Sequence, residues 1–109
     1  MKVVQYTEKD GTCPYRKWIK KLDTATRARI QARVFRFEQG NLGDYKSVGK
    51  GVLEARIFLG PGYRLYFGME QGEIIILLVG GDKSTQEKDI RKSQKYWVDY
   101  LENNHEQKK

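Results

Sequence analysis

The residues of this chain best suited to chemistry on phosphate are Arg56, Arg64 and Tyr66, with Lys83 further along and Lys46 and Lys50 ahead of them. A guanidinium grips a phosphate through two parallel hydrogen bonds, and where metal is absent it can stabilise the extra charge of a phosphorane-like transition state. A tyrosine can stack on a base or move a proton. Taken alone, these types describe a phosphate or nucleic-acid site and a basic sheet surface equally well. Other chemistries fall away. The chain has no GxSxG, HExxH, P-loop or dinucleotide fingerprint, and the GxG at residues 60–62 reads as a turn. His105, the sole histidine, falls in a polar tail and reads as incidental, which excludes a two-histidine ribonuclease. Cys13, the sole cysteine, rules out an intrachain disulfide, a Cys-rich zinc site and a CxxC redox motif. No metal and no cofactor is expected.

Charge supports a polyanionic partner. Across 109 residues, 21 Lys and Arg outnumber 14 Asp and Glu, a formal charge of +7. That length fits one domain, taken as residues 1–109, with one modest core. The opening MKVVQYTEKDG has no apolar leader, and the longest apolar run, Ile74 to Val79, is too short to cross a bilayer. A cytoplasmic protein without a membrane partner is the expectation.

The elements that must position these side chains read as follows. Val3, Val4 and Tyr6 make a short strand, ended by turn chemistry at residues 8–11. Pro14 opens a short helix carrying Tyr15, Trp18, Ile19 and Leu22. Asp23 or Thr24 caps a second helix running to about Gln39, with Gly40-Asn41 as its stop. On it Ile30, Val34 and Phe37 form an apolar stripe, and Arg29, Arg33 and Arg36 a parallel cationic row. Between Arg16 and Arg36 there are eight basic residues and one acid, so the row reads as a docking surface. Residues 41–50 read as a mobile polar loop carrying Lys46 and Lys50.

Next, Leu53, Ala55, Ile57 and Leu59 alternate with polar residues, as do Tyr63, Leu65 and Phe67 after Gly60-Pro61-Gly62. A three-residue loop would pair Leu59 with Tyr63, Ile57 with Leu65 and Ala55 with Phe67. All apolar residues then share one face, and Arg56, Arg64 and Tyr66 cluster on the other. Ile74 to Val79 is apolar without alternation, which requires cover on both faces. Ser84-Thr85-Gln86-Glu87 fits a capping box for a last helix with Ile90, Trp97 and Leu101 on one side, ahead of a frayed tail after about Glu102. Lys83 falls at the strand-to-helix junction. The fold class is α+β: one small β-α-α-β-β-β-α domain with a largely antiparallel sheet, an N-terminal helical hairpin and a C-terminal helix.

That succession, with GYRLYF at residues 62–67 and LLVGGDKSTQ at 77–86, resembles the RelE/ParE/HigB toxin superfamily, in its phage-Gp49-like "addiction module killer" branch. The likeness covers nearly the whole chain. It implies a RelE-like fold and a toxin of a type II toxin–antitoxin module, an endoribonuclease that cuts mRNA at the ribosomal A site without metal, by attack of the ribose 2′-OH on the adjacent phosphate. By position, Arg64 matches the arginine that holds the scissile phosphate. Arg56 matches a strand lysine or arginine acting as base or charge stabiliser, and Lys83 a basic residue that protonates the leaving 5′-oxygen. Tyr66 is a further catalytic candidate, and Lys46, Lys50, Arg29, Arg33 and Arg36 are RNA-binding candidates. Glu54 departs from the pattern by standing where strong nucleases carry a second lysine, and Asp89 lies near where they carry a tyrosine. The resemblance also implies a cognate helix-turn-helix antitoxin, the ribosome as partner, and operator DNA bound only through the antitoxin complex. Two readings remain beside it: a ParE-like gyrase poison without catalysis, and a basic RNA-binding module.

Overall fold

In a computed structural model the chain forms a five-stranded sheet in the order β1-β5-β4-β3-β2, with helices on both faces. The structure describes the backbone of residues 1–107 and the side chains of residues 1–103. The strands are β1 (Lys2–Gln5), β2 (Tyr45–Ser47), β3 (Leu53–Ile57), β4 (Tyr63–Glu70) and β5 (Ile74–Gly81). The helices are α1 (Pro14–Ile19), α2 (Thr24–Glu38) and α3 (Gln86–Gln107), the last entered through a 3-10 turn at Lys83–Thr85. β1 pairs with β5 in parallel and every other pair is antiparallel. The α+β architecture expected from the sequence is therefore observed.

Strand alternation makes two cores. On one face Ala55, Ile57, Leu65, Phe67, Ile75 and Leu77 meet Tyr15, Ile19, Ile30 and Phe37 of α1 and α2. The rings of Phe37 and Phe67 lie 4.9 Å apart, and each buried side chain of this size contributes about 1.5–3 kcal/mol. On the other face Val52, Tyr66, Ile76 and Leu78 meet α3 through Ile90, Trp97 and Leu101. β5 is thus covered on both sides, as its unbroken apolar run requires. Trp97 reaches the sheet because Gly68 has no side chain: a Cβ there would stand 2.3 Å from the indole. Gly68→Ala should therefore cost roughly 1–3 kcal/mol or more, read as a lower urea midpoint at unchanged m-value.

Four local readings change. Residues 45–47 are not loop but an edge strand paired with residues 53–55. The β3–β4 register is shifted by two: Ile57 faces Tyr63, Ala55 faces Leu65, Arg56 faces Arg64 and Glu54 faces Tyr66. Leu59 mimics a strand residue in the pattern, yet it sits in a five-residue loop, 58–62, and packs on the core from there. Gly60 and Gly62 make that loop possible at φ +55° and +78°. The capping box before α3 starts at Asp82, not Ser84: its carboxylate accepts from the Ser84 N–H, and the Thr85 hydroxyl accepts from the Asp82 N–H. Finally, α3 continues to Gln107, where a frayed tail was expected; the side chain of His105 lies outside the described residues. The Asp23 cap on α2 is as expected, its carboxylate accepting from the Thr26 N–H.

A candidate phosphate site around a buried glutamate

The face expected to be exposed is partly covered by α3, and its centre is an acid. Sheet register lays two rows across it. Lys46, Glu54, Tyr66 and Val79 face one another from β2 to β5, and Arg56, Arg64 and Gly81 form the next row. Arg56 and Arg64 stand directly opposite, a like-charge pair that is unfavourable unless an anion lies between or beside them. Glu54 supplies that anion. It is fully buried, with Lys46 Nζ and Arg56 Nε each 3.9 Å from Oε1 and Arg64 Nε 3.8 Å from Oε2. Three cations around one carboxylate leave the cluster with an excess of positive charge.

The carboxylate is held from two sides. The Tyr66 hydroxyl donates to Glu54 Oε2 at 3.0 Å, and Gln86 Nε2, from the first residue of α3, donates to the same oxygen at 2.9 Å. Oε1 accepts no hydrogen bond. It is itself buried, and the two cations beside it, Lys46 and Arg56, are 49% and 41% exposed. Oε2 is therefore the anchored oxygen, and Oε1 has no hydrogen-bond partner.

Arg64 is more enclosed, at 12% side-chain exposure, and Nη1 donates to its neighbour's carbonyl at Gly62, 2.9 Å away. Gly62 is the joint between Arg64 and Lys83. A Cβ there would lie 3.5 Å from Arg64 Nη1 and 3.9 Å from Lys83 Cβ. Lys83 itself is exposed on the 3-10 turn that the Asp82 capping box fixes.

A β-bulge completes the arrangement. Tyr66 pairs with Val79 but Phe67 with Leu77, leaving Leu78 extra. Leu78 and Val79 consequently both join the α3-side core, Gly80 faces Trp18 of α1, and Gly81 comes under Asp89 of α3. Burial raises the Asp89 carboxyl above its ordinary value, against the opposing hydrogen bond from the Thr85 hydroxyl. An acid with a raised folded pKa holds its proton where the unfolded chain has lost it. Its contribution to stability is full below the ordinary carboxylate range and is lost as pH rises through the folded value. Asp89→Asn should remove that loss. The urea midpoint of the variant relative to wild type should rise between about pH 4 and about pH 7, and a constant difference would contradict it.

The sequence-derived candidates separate into four groups. Arg56, Arg64, Tyr66 and Lys46 converge on Glu54, with Lys83 beside Arg64 through Gly62. Tyr66 differs in environment from the expectation: it is wholly buried, and burial followed by the Glu54 charge raises its hydroxyl far above the usual range. It keeps its proton and positions Glu54. Lys50 lies apart, in a groove with Arg91, Gln94 and Lys95 of α3. Arg29 and Arg36 are exposed, but on α2, which packs on the opposite face of the sheet. Arg33 does not belong to an exposed row. It is 7% exposed, and its guanidinium donates to the carbonyls of Leu42, Asp44 and Arg56.

Glu54 and Gln86 were not among the candidates. Glu54 had one sequence signal, being the sole acid between Lys46 and Arg64 on the face that carries both arginines. Gln86 had none, because its reach depends on where α3 lands.

Among curated proteins, one from Haemophilus influenzae (strain ATCC 51907 / DSM 11121 / KW20 / Rd), described only as uncharacterized, is 47% identical over 83 residues, covering 75% of this chain and 84% of that one. No solved structure matches. The model of the family described as phage derived protein Gp49-like (DUF891) matches residues 17–96, a span that holds α2, all of the Glu54 cluster and the first half of α3, and the chain belongs to that family.

Proposed function

We propose that this protein is the toxin of a type II toxin–antitoxin module of the RelE/ParE/HigB superfamily, acting as a metal-independent endoribonuclease on mRNA at the ribosome. The observation that carries this reading is the buried Glu54 carboxylate with Lys46, Arg56 and Arg64 around it. Its Oε1, which has no hydrogen-bond partner, is the proton acceptor of this reading. In this reading Glu54 Oε1 takes the proton of a ribose 2′-OH as O2′ attacks the adjacent phosphorus. Arg64 and Arg56 hold the non-bridging oxygens as charge accumulates on them. The P–O5′ bond breaks, and the Lys83 ammonium gives its proton to O5′. The products are a 2′,3′-cyclic phosphate and a 5′-hydroxyl.

The partners follow from the same reading. A cognate antitoxin encoded beside the toxin lays an acidic segment over the cationic face, and the complex binds operator DNA. The setting is the cytoplasm. Arg64→Ala tests the proposal: growth arrest and transcript cleavage on induction should both be lost while the thermal transition persists. Growth arrest that survives Arg64→Ala without mRNA cleavage in either protein would sink it, and gyrase-dependent DNA breaks with intact mRNA would select a ParE-like poison.

A further inference from the structure

A second cationic feature lies outside the Glu54 cluster. β1 ends its pairing at Gln5 opposite Leu77, while β5 continues to Gly81. Beyond that point the edge of β5 is flanked by α1 on one side and α3 on the other, and a cleft of about 250 Å³ opens there. Lys17 of α1, Lys21 just after it and Lys92 of α3 line it, with Trp18 and Tyr96 as aromatic walls. Three lysines face two acids, Glu8 and Asp89. Neither ring is free to leave. Trp18 is pressed onto Gly80, where a Cβ would come within 2.2 Å of the indole, and Tyr96 stacks on Tyr6 with centroids 5.0 Å apart.

The cleft adjoins the phosphate site. Asp89 lines the cleft and sits over Gly81, and Gly81 is the cross-strand partner of Arg64. Neighbouring strands are about 4.8 Å apart, so a chain leaving Arg64 across β5 reaches the cleft within about one or two nucleotides. Fixed aromatic faces beside cations are what single-stranded nucleic acid uses, since every base has a face to stack and every linkage a charge to neutralise. An acidic peptide would use the lysines and leave both rings without a role.

We infer that this cleft is a subsite for single-stranded RNA, taking the base of a nucleotide neighbouring the scissile phosphate between Trp18 and Tyr96, with its phosphates on Lys17, Lys21 and Lys92. The inference rests on the RNA reading above for its substrate class. The probe is 2′-O-methyl octauridylate, which cannot be cleaved because no 2′-OH is present. It should quench tryptophan fluorescence in the wild-type protein, and Trp18→Phe should remove that quenching. The combined Lys17→Gln, Lys21→Gln, Lys92→Gln variant, checked for an unchanged urea midpoint, should bind about tenfold more weakly at physiological salt. Its slope of log affinity against log salt should be shallower by about 2, near 0.7 for each lysine. Wild-type affinity and slope in the triple variant, no quenching in the wild type, or quenching by an octaglutamate peptide in place of the oligonucleotide would each overturn the subsite. Failure of the nuclease reading shows separately, as intact transcripts after induction of the wild type while octauridylate still quenches Trp18.

Discussion

Glu54→Gln should abolish transcript cleavage and growth arrest while leaving a folded protein, with the cleavage rate falling by a factor of about 10²–10⁴, the usual contribution of a positioned general base. The substitution is nearly isosteric, and its amide oxygen can still accept from the Tyr66 hydroxyl and Gln86 Nε2. What it removes is the charge and the proton-accepting capacity of Oε1. The same change leaves Lys46, Arg56 and Arg64 without their common counter-charge. Lys46 and Arg56 are about half exposed and can turn to water, so most of the cost falls on Arg64. Loss of a hydrogen-bonded charge partner then lowers stability by roughly 1–3 kcal/mol, visible as a lower urea midpoint. Affinity for a non-cleavable RNA should hold or rise, because a negative charge has left a phosphate site. That combination separates a base from a structural counter-ion. A Glu54→Gln protein that cleaves at the wild-type rate would leave Glu54 with only the second role.

The two faces of the sheet were legible in the sequence because side-chain parity survives a two-residue slip. Leu53, Ala55, Ile57, Leu65 and Phe67 share a core in the expected register and in the observed one. The register itself was not legible. It depends on Leu59 leaving the strand and on two glycines with positive φ stretching the loop to five residues. That slip moved Tyr66 from Arg56 to Glu54, which is the difference between a cationic face and an acid in a cationic ring. Burial of Glu54 was equally hidden, since a lone acid among basic residues reads as solvated until α3 is docked. α3 docks where it does because Gly68 admits Trp97, and its capping box then sets Gln86 within reach of Glu54. Lys83 was placed correctly at the strand-to-helix junction, for that feature needs only local turn chemistry.

Arg33 marks the opposite failure, a charge read as surface that is structural, and it gives the second large effect. Arg33→Ala should lower stability by about 3 kcal/mol, whereas Arg29→Ala and Arg36→Ala, at exposed positions, should stay within about 0.5 kcal/mol of wild type. The reason is the set of acceptors. Arg33 Nη1 donates to the Arg56 carbonyl at 2.7 Å, Nη2 to the Asp44 carbonyl at 2.7 Å and the Leu42 carbonyl at 3.0 Å, and Nε to Leu42 again at 3.3 Å. These carbonyls belong to the segment between α2 and β2 and to β3 itself, so one planar group ties α2 to the edge of the sheet. Gly43, at φ +67°, lets the guanidinium lie against the backbone; a Cβ there would stand 2.9 Å from Arg33 Cζ. Truncation takes the guanidinium donors from three carbonyls, of which that of Asp44 keeps the Arg56 N–H, and forfeits the contact of Arg33 with the Phe37 ring, 5.9 Å from its centroid. Arg33→Lys should recover only part of the loss, since an ammonium is a point charge and cannot span the fork. Because one of the three carbonyls is that of Arg56, cleavage should fall with stability in Arg33→Ala and return when the fold is stabilised by added osmolyte. Were Arg33 instead an RNA contact, its Ala variant would melt as wild type does and lose affinity with a reduced salt slope.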